Sequence, residues 1–424
     1  MTLKRRITTA VATGALIFNA FAQSAFAATT IEISGNGTNS DNDSNVGISQ
    51  TTTVVQSNNA DVFNKVDVDA DTGGNDANDN TGGDVSVETG DVDTEVNVSN
   101  ALNSNSANVD CCLSDGDTEV LISGNGSNSD NTVNLGQTNY NAIYQSNDAD
   151  VTNLVDVDGD TGDNDAEDNT GGDVSVETGD VDTKVSISTA ANANSASISG
   201  DGNGGGTLSA RIVGNGTHSD NDINLGLLSG VLISQDNNAD VFNKVDVDAD
   251  TGNNDANDNT GGEVSITTGD VDTEVEIDNM VNFNFADADC GCLLEDILAK
   301  ISGNGSDSDS TINASLEDKL EVFQSNCDDQ YEWWYWWNKD CEIENKVDVD
   351  GDTGDNDAED NTGGVHGGDP SVDTGDVDTN VDLDNSGNVN VYGDDSGLEF
   401  PDFDFDLDIS IDLGDLLDFL MGNA

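Results

Sequence analysis

The sequence predicts an all-β protein, an elongated β-solenoid built from four tandem repeats of about ninety residues, and three observations carry that expectation. "ISGNG" begins at Ile33, Ile122 and Ile301, and "IVGNG" at Ile212, so one unit recurs at spacings of 89, 90 and 89 residues. A repeat of fixed length decides architecture before any local pattern does. Within a unit, Val155 and Val157, Val174 and Val176, and Val185 and Ile187 alternate with polar residues, the period of half-buried strands. Gly-Gly, Thr-Gly and Asn-Gly pairs interrupt these short stretches, as turn chemistry requires. Tandem immunoglobulin-like sandwiches are the alternative. They fit less well, because most units have no aromatic at a fixed core position. Interiors of Val, Ala, Asn and Ser suit stacked coils, with a few coils of roughly 20 residues per unit and Asn bonded to Asn in the next coil.

The segments follow in order. Lys4, Arg5 and Arg6, an apolar stretch to Phe21 and Ala25-Phe26-Ala27 read as a signal peptide over residues 1–27,. The units then run 28–121, 122–211, 212–300 and 301–390. The last unit carries an insertion over about 316–346 and a shorter one, "VHGG", after Gly364. Residues 391–424 form a Gly/Asp linker and a tail in which Phe403, Phe405, Leu407, Ile409, Ile411 and Leu413 alternate with polar residues, mostly Asp. That strand pattern suits capping the end of the solenoid or pairing with a partner's edge. No segment after the leader is long and apolar enough to span a bilayer. The expected location is extracellular or at the cell surface.

Charge narrows the partners. The chain has 86 Asp and Glu against 11 Lys and Arg. Cleavage after Ala27 removes three basic residues and no acidic one, leaving a formal charge near −78. Nucleic acid is excluded, because phosphate contacts need cations. Cations are favoured, and solubility is high.

The phrase "VDVDADTGGNDANDNTGG" at Val66 recurs at Val155, Val245 and Val347. Its D-x-D-x-D-x-G core gives Asp67, Asp69 and Asp71; Asp156, Asp158 and Asp160; Asp246, Asp248 and Asp250; Asp348, Asp350 and Asp352. Alternate Asp residues on a strand share a face and repel. Clustered carboxylates with Asn and backbone oxygens suit calcium, the expected cofactor. The competing reading is a solvated face over a Val core. Salt adaptation would explain the total charge but does not require the fixed spacing.

The phrase resembles the opening of an EF-hand-like or thrombospondin-type calcium loop. It departs from the EF-hand in having Thr at position six and Gly one later. Position twelve alternates Asn78, Glu167, Asn257, Glu359, so the resemblance implies Glu167 and Glu359 as ligands. "TGGDVSVETGD" is similar to the calcium turns of β-rolls but lacks their third Gly. From "ISGNG" through "VDVDADTGG" and "NTGGDVSVETGD", over about residues 30–390, the chain resembles secreted Asp/Asn/Gly-rich repeat proteins of uncultured candidate-phylum bacteria, which implies a surface location and no chemistry. "VVQSNNADVFN" is faintly similar to curlin-type fibre repeats.

Six cysteines suit an oxidising compartment,. Cys327 and Cys341 flank the insertion and are expected to pair. Cys111 and Cys112, and Cys290 and Cys292, occupy equivalent places in units one and three and either close locally or link to another chain. The insertion "YEWWYWW" holds Tyr331, Trp333, Trp334, Tyr335, Trp336 and Trp337, with all four Trp of the chain. A core role would be expected to recur in other units. A single cluster in a closed loop reads as a contact surface for a glycan or a protein.

The expected function is therefore a secreted, non-catalytic surface protein: an adhesive or structural rod, stabilised by calcium, with one aromatic binding loop. A self-assembling fibre or envelope-layer subunit is one alternative, using the tail strand or the four remaining cysteines. A carbohydrate-active β-helix enzyme is the other. It is disfavoured because the carboxylates are spread over four copies, and His218 and His366 stand alone.

Overall fold

A computed structural model describes residues 29–110, 117–199, 207–289, 297–327, 341–363 and 370–393, and the backbone alone of 5–10 and 19–22. Two short strands, β1 (Arg5–Ala10) and β2 (Asn19–Ala22), come first. Each unit then supplies one set of strands. Unit one gives β3 (Thr29–Ser34), β4 (Asp41–Asp71), β5 (Val85–Glu88) and β6 (Val92–Asp110). Unit two gives β7 (Thr118–Ser123), β8 (Asp130–Asp160), β9 (Val174–Glu177) and β10 (Val181–Ser199). Unit three gives β11 (Leu208–Val213), β12 (Asp220–Asp250), β13 (Val264–Thr267) and β14 (Val271–Asp289). Unit four gives β15 (Ile297–Ser302), β16 (Asp309–Asn326), β17 (Ile343–Asp352), β18 (Ser371–Asp373) and β19 (Val377–Tyr392).

The fold is a parallel all-β solenoid, as the repeat and the alternation predict. Equivalent strands of successive units pair in parallel and in register, Val66 on Val155, Val155 on Val245, Val245 on Val347. The sheets therefore run through the stack, β3-β7-β11-β15 in one and β5-β9-β13-β18 in another. One unit is one layer. The expected division of each unit into several coils of about twenty residues is not what forms, and the short expected strands are pieces of strands up to 31 residues long. The alternation marked the strands correctly; it carried no information on which strand lies alongside which. The drawn unit boundaries at Ile122 and Ile212 fall inside β7 and β11.

Within a layer the chain folds back on itself. Gln56 Nε2 donates to the Ser106 carbonyl, Asn58 Nδ2 to Asn105 Oδ1 and Asn64 Nδ2 to Asn100 Oδ1. Rising numbers meet falling ones, so β6 returns antiparallel across the layer from β4. Between them Val66 and Val68 pack on Val96 and Val98, and Val54 on Ala107 and Val109. The first strand covers the other end of the long one, with Ile31 and Ile33 against Val46 and Ile48.

The interior also contains Asn and Gln in the same phase as Val. Asn64, Asn153, Asn243 and Asn345 form one column, each Nδ2 donating to the next Oδ1 at 2.7–2.8 Å. Asn153 and Asn243 are fully buried. Parallel columns run through Asn58 and through Asn105, and Gln56, Gln145, Gln235 and Gln324 make another. In register, an amide finds the same amide one layer away and satisfies both its donor and its acceptor, so a polar side chain can be buried without loss. Backbone irregularities repeat in the same way. Asn103, Asn192, Asn282 and Asn388 all have φ between 54 and 63°, and each stands out of the pairing register of its strand.

β1 and β2 pair with the outer edge of β6, Arg5 on Thr94 and Asn19 on Ser106. Cleavage after Ala27 would remove both strands and free that edge.

Candidate functional site

The repeated phrase straddles the end of the long strand and the turn that follows. Val155 and Val157 point into the core, so Asp156 and Asp158 point out. The third Asp is tied to the turn. Asp71, Asp160, Asp250 and Asp352 Oδ1 accept from the backbone N–H of Gly73, Gly162, Gly252 and Gly354 at 2.5–2.7 Å. The Thr between them closes the turn. Thr161 Oγ1 donates to the Gly179 carbonyl at 2.9 Å, and its counterparts do the same. The Gly is imposed by the neighbouring layer, since a Cβ on Gly162 would lie 2.0 Å from the Gly252 carbonyl oxygen. D-T-G is thus the grammar of a turn that must stack on copies of itself.

The first two Asp of each phrase have no such tie. In register, they form two columns, Asp67-Asp156-Asp246-Asp348 and Asp69-Asp158-Asp248-Asp350, with about 4.8 Å between layers. Partial burial raises the pKa of Asp158, and the carboxylates of Asp248 and Asp69 add to it. Asp248 is raised by burial and then by Asp350. Burial takes Asp160 up to about 6 against the Gly162 N–H, which pulls it down, with Asp163 and Asp250 reinforcing the rise. Scarce lysines are placed beside these columns: Lys65 lies 3.5 Å from Asp67 and Lys244 2.9 Å from Asp246. Both pairs are exposed and contribute little.

The position-twelve residues form a column of their own. Glu167 N–H donates to Asn78 Oδ1 and Glu359 N–H to Asn257 Oδ1. Alternating Asn with Glu therefore avoids Glu stacked on Glu. Partial burial raises the Glu167 pKa, and the carboxylates of Asp165 and Asp255 add to the rise. The structure brings like residues of the phrase together in columns; it does not bring Glu167 into one shell with Asp156, Asp158 and Asp160. Among the described residues, no group of three or more His, Cys, Asp or Glu side chains is arranged to hold a metal ion.

The columns set a pH dependence. An acid whose pKa is higher folded than unfolded binds more protons in the folded state between the two values. Stability then falls as pH rises across that window, from 3.8 to about 6 for Asp160. Calorimetry should find a melting temperature several degrees higher near pH 4 than at pH 7. A flat or opposite profile would show that the columns are fully relaxed by solvent.

The second feature is the insertion. β12 pairs with β16 as far as Asn237 on Asn326, and with β17 from Val241 on Ile343. The separation grows from 89 to 102 residues, so thirteen more residues, numbered 328–340, lie in sequence between the two paired segments. This is narrower than the expected 316–346, because the flanking residues keep the repeat register. Cys327 and Cys341 form the expected disulfide, with Cα atoms 5.5 Å apart, and close the gap. Asn282 Nδ2 lies 3.5 and 3.4 Å from their sulfurs. In the layers before, the equivalent amides of Asn103 and Asn192 donate to the Asp148 and Asn238 carbonyls. Tyr331, Trp333, Trp334, Tyr335, Trp336 and Trp337 lie outside the described residues, as do Cys111, Cys112, Cys290, Cys292 and the tail from 394.

The sequence reading missed the glycines that the layers impose on one another. Their signal was present: the second Gly of "GNG" and the Gly of "TGD" recur in all four units.

No family model matches the chain, and no curated protein and no solved structure matches it. Among the described residues, no helix is long and apolar enough to cross a membrane.

Proposed function

We propose that the chain is an extracellular, non-catalytic structural and adhesive protein: a stacked acidic scaffold that displays one aromatic loop. The observation that supports this reading is the pairing of the fourth layer on either side of 328–340. The ladder stops at Asn326, resumes in register at Ile343, and a disulfide closes the gap. A loop joined in this way can vary without disturbing the stack, which suits a recognition element on a rigid support. The acidic residues favour a scaffold over an enzyme, because the three Asp of the phrase recur in every layer instead of converging once. The loop's partner is a glycan or an apolar protein patch, since Trp stacking tolerates the chain's negative charge.

Changing Trp333, Trp334, Trp336 and Trp337 together to Ala should abolish binding to glycan arrays or cells, with β-sheet circular dichroism and melting unchanged. Reducing Cys327–Cys341 should weaken it. If the variant unfolds, the aromatics are a core; if it binds as before, recognition lies on the layers.

Calcium enters this reading as a counter-ion to the two outer columns. Asp156→Asn with Asp158→Asn should raise melting at pH 7 by relieving repulsion. Millimolar calcium should stabilise the natural chain more than this variant. Equal melting of both with and without calcium would leave the columns as a solvated face.

A further inference from the structure

The two end layers carry glycines that no neighbour among the described residues requires. In the inner layers the requirement is plain: a Cβ on Gly126 would lie 2.6 Å from the Gly37 carbonyl carbon, one on Gly179 2.5 Å from that of Gly90, and one on Gly252 2.0 Å from the Gly354 oxygen. At the start of the stack, a Cβ on Gly37 or Gly90 would meet none of the described residues within 4 Å, and neither residue has a left-handed φ. At the other end, a Cβ on Gly354 would meet only Asp352 of its own layer, at 3.2 Å. Both outer faces are shaped for another layer.

The last layer is also open. Val377, Val381 and Leu383 are 41–44% exposed, whereas their counterparts Val271, Val275 and Ile277 in the layer before are at most 1% exposed. The polar columns have a direction. In those through Asn58, Asn64 and Asn105, each layer donates to the next, ending at Asn326, Asn345 and Asn390. One end therefore presents the acceptor side of these amides and the other the donor side.

We propose that the last layer receives the first layer of a second copy, head to tail. Asn326 would meet the second copy's Asn58, Asn345 its Asn64 and Asn390 its Asn105, with Gly354 under its Gly73. The contact continues the interface already present between every pair of layers. It uses two different faces and does not close, so it propagates as a filament. This proposal does not depend on the aromatic loop.

The test uses the chain freed of residues 1–27, because β1 and β2 otherwise hold the β6 edge. At about pH 5, where the raised carboxylates are partly protonated, it should elongate into filaments with a reflection near 4.8 Å along the axis. Gly90→Val and Gly354→Val should each melt like the natural chain as monomers and fail to elongate. Mixed together, they should stop at dimers, since each retains one good face. The proposal is overturned if the natural chain stays monomeric, or if the glycine variants elongate as it does. It is also overturned if hydrogen exchange of the monomer shows the outward amides of β19 protected, for then the chain's own residues cover that layer.

Discussion

Gly162→Val is expected to unfold the stack at its centre. The new Cβ would lie 2.0 Å from the Gly252 carbonyl oxygen, and that atom belongs to backbone held by the next layer. Neither side can give way alone. Gly162 lies in the turn that Asp160 and Thr161 fix, and the Gly252 carbonyl accepts the backbone N–H of Asp163. Relief requires parting two layers and breaking the ladder on both sides of the turn. We expect a loss of at least about 3 kcal/mol, beyond the ordinary cost of overpacking. Gly90→Val is the internal control, with the same substitution at an open face. Thermal melting of the two variants checks the contrast, and equal melting would mean that the layers are not in contact as described.

The second large effect is Asn153→Asp. Asn153 is fully buried in the interior of the second layer. Its Oδ1 accepts from Asn64 Nδ2 at 2.8 Å and Asn100 Nδ2 at 3.2 Å, and its own Nδ2 donates to Asn243 Oδ1 at 2.7 Å. An ionised Asp keeps the first two bonds and sets a carboxylate oxygen against the Asn243 carbonyl oxygen. An unpaired buried charge of this kind costs about 3–5 kcal/mol. Burial raises such a carboxyl's pKa, so the protonated form, which can donate to Asn243, is recovered in acid. The variant should melt well below the natural chain at pH 8 and approach it near pH 4. If the deficit is the same at both values, the site is wet and the column is not a core element.

Much of this was legible in the sequence, and the parts that were not share a cause. The alternation around Val155 and Val157 marked strands. The 89- and 90-residue spacing marked the repeat, and the insertions between Cys327 and Cys341 and at "VHGG" after Gly364 marked the departures from it. What alternation cannot encode is the partner. A strand whose inward residues are Val, Asn and Gln reads the same whether its neighbour is about twenty residues away or about ninety. Asn153 shows the limit: an interior Asn bonded to an Asn of the next coil was expected, but its partner Asn243 lies ninety residues away instead of about twenty. The acidic phrase was divided in a similar way. Its third Asp, its Thr and its Gly are accounted for by the turn and by stacking. Its first two Asp form outward columns that neither the turn nor the stacking accounts for.

That one unit makes one layer can be tested at a single pair of residues. Ser175 and Ser265 are ninety residues apart, and they are paired across β9 and β13 with their hydroxyl oxygens 3.5 Å from one another. In the double variant Ser175→Cys with Ser265→Cys, the Cα atoms of neighbouring parallel strands fall within disulfide reach. Peptide mapping after mild oxidation at high dilution should find an intramolecular bridge between these two introduced thiols in nearly every molecule, with Cys327–Cys341 intact. If each unit were instead several short coils, the two positions would lie several layers apart, and the map would contain no such bridge.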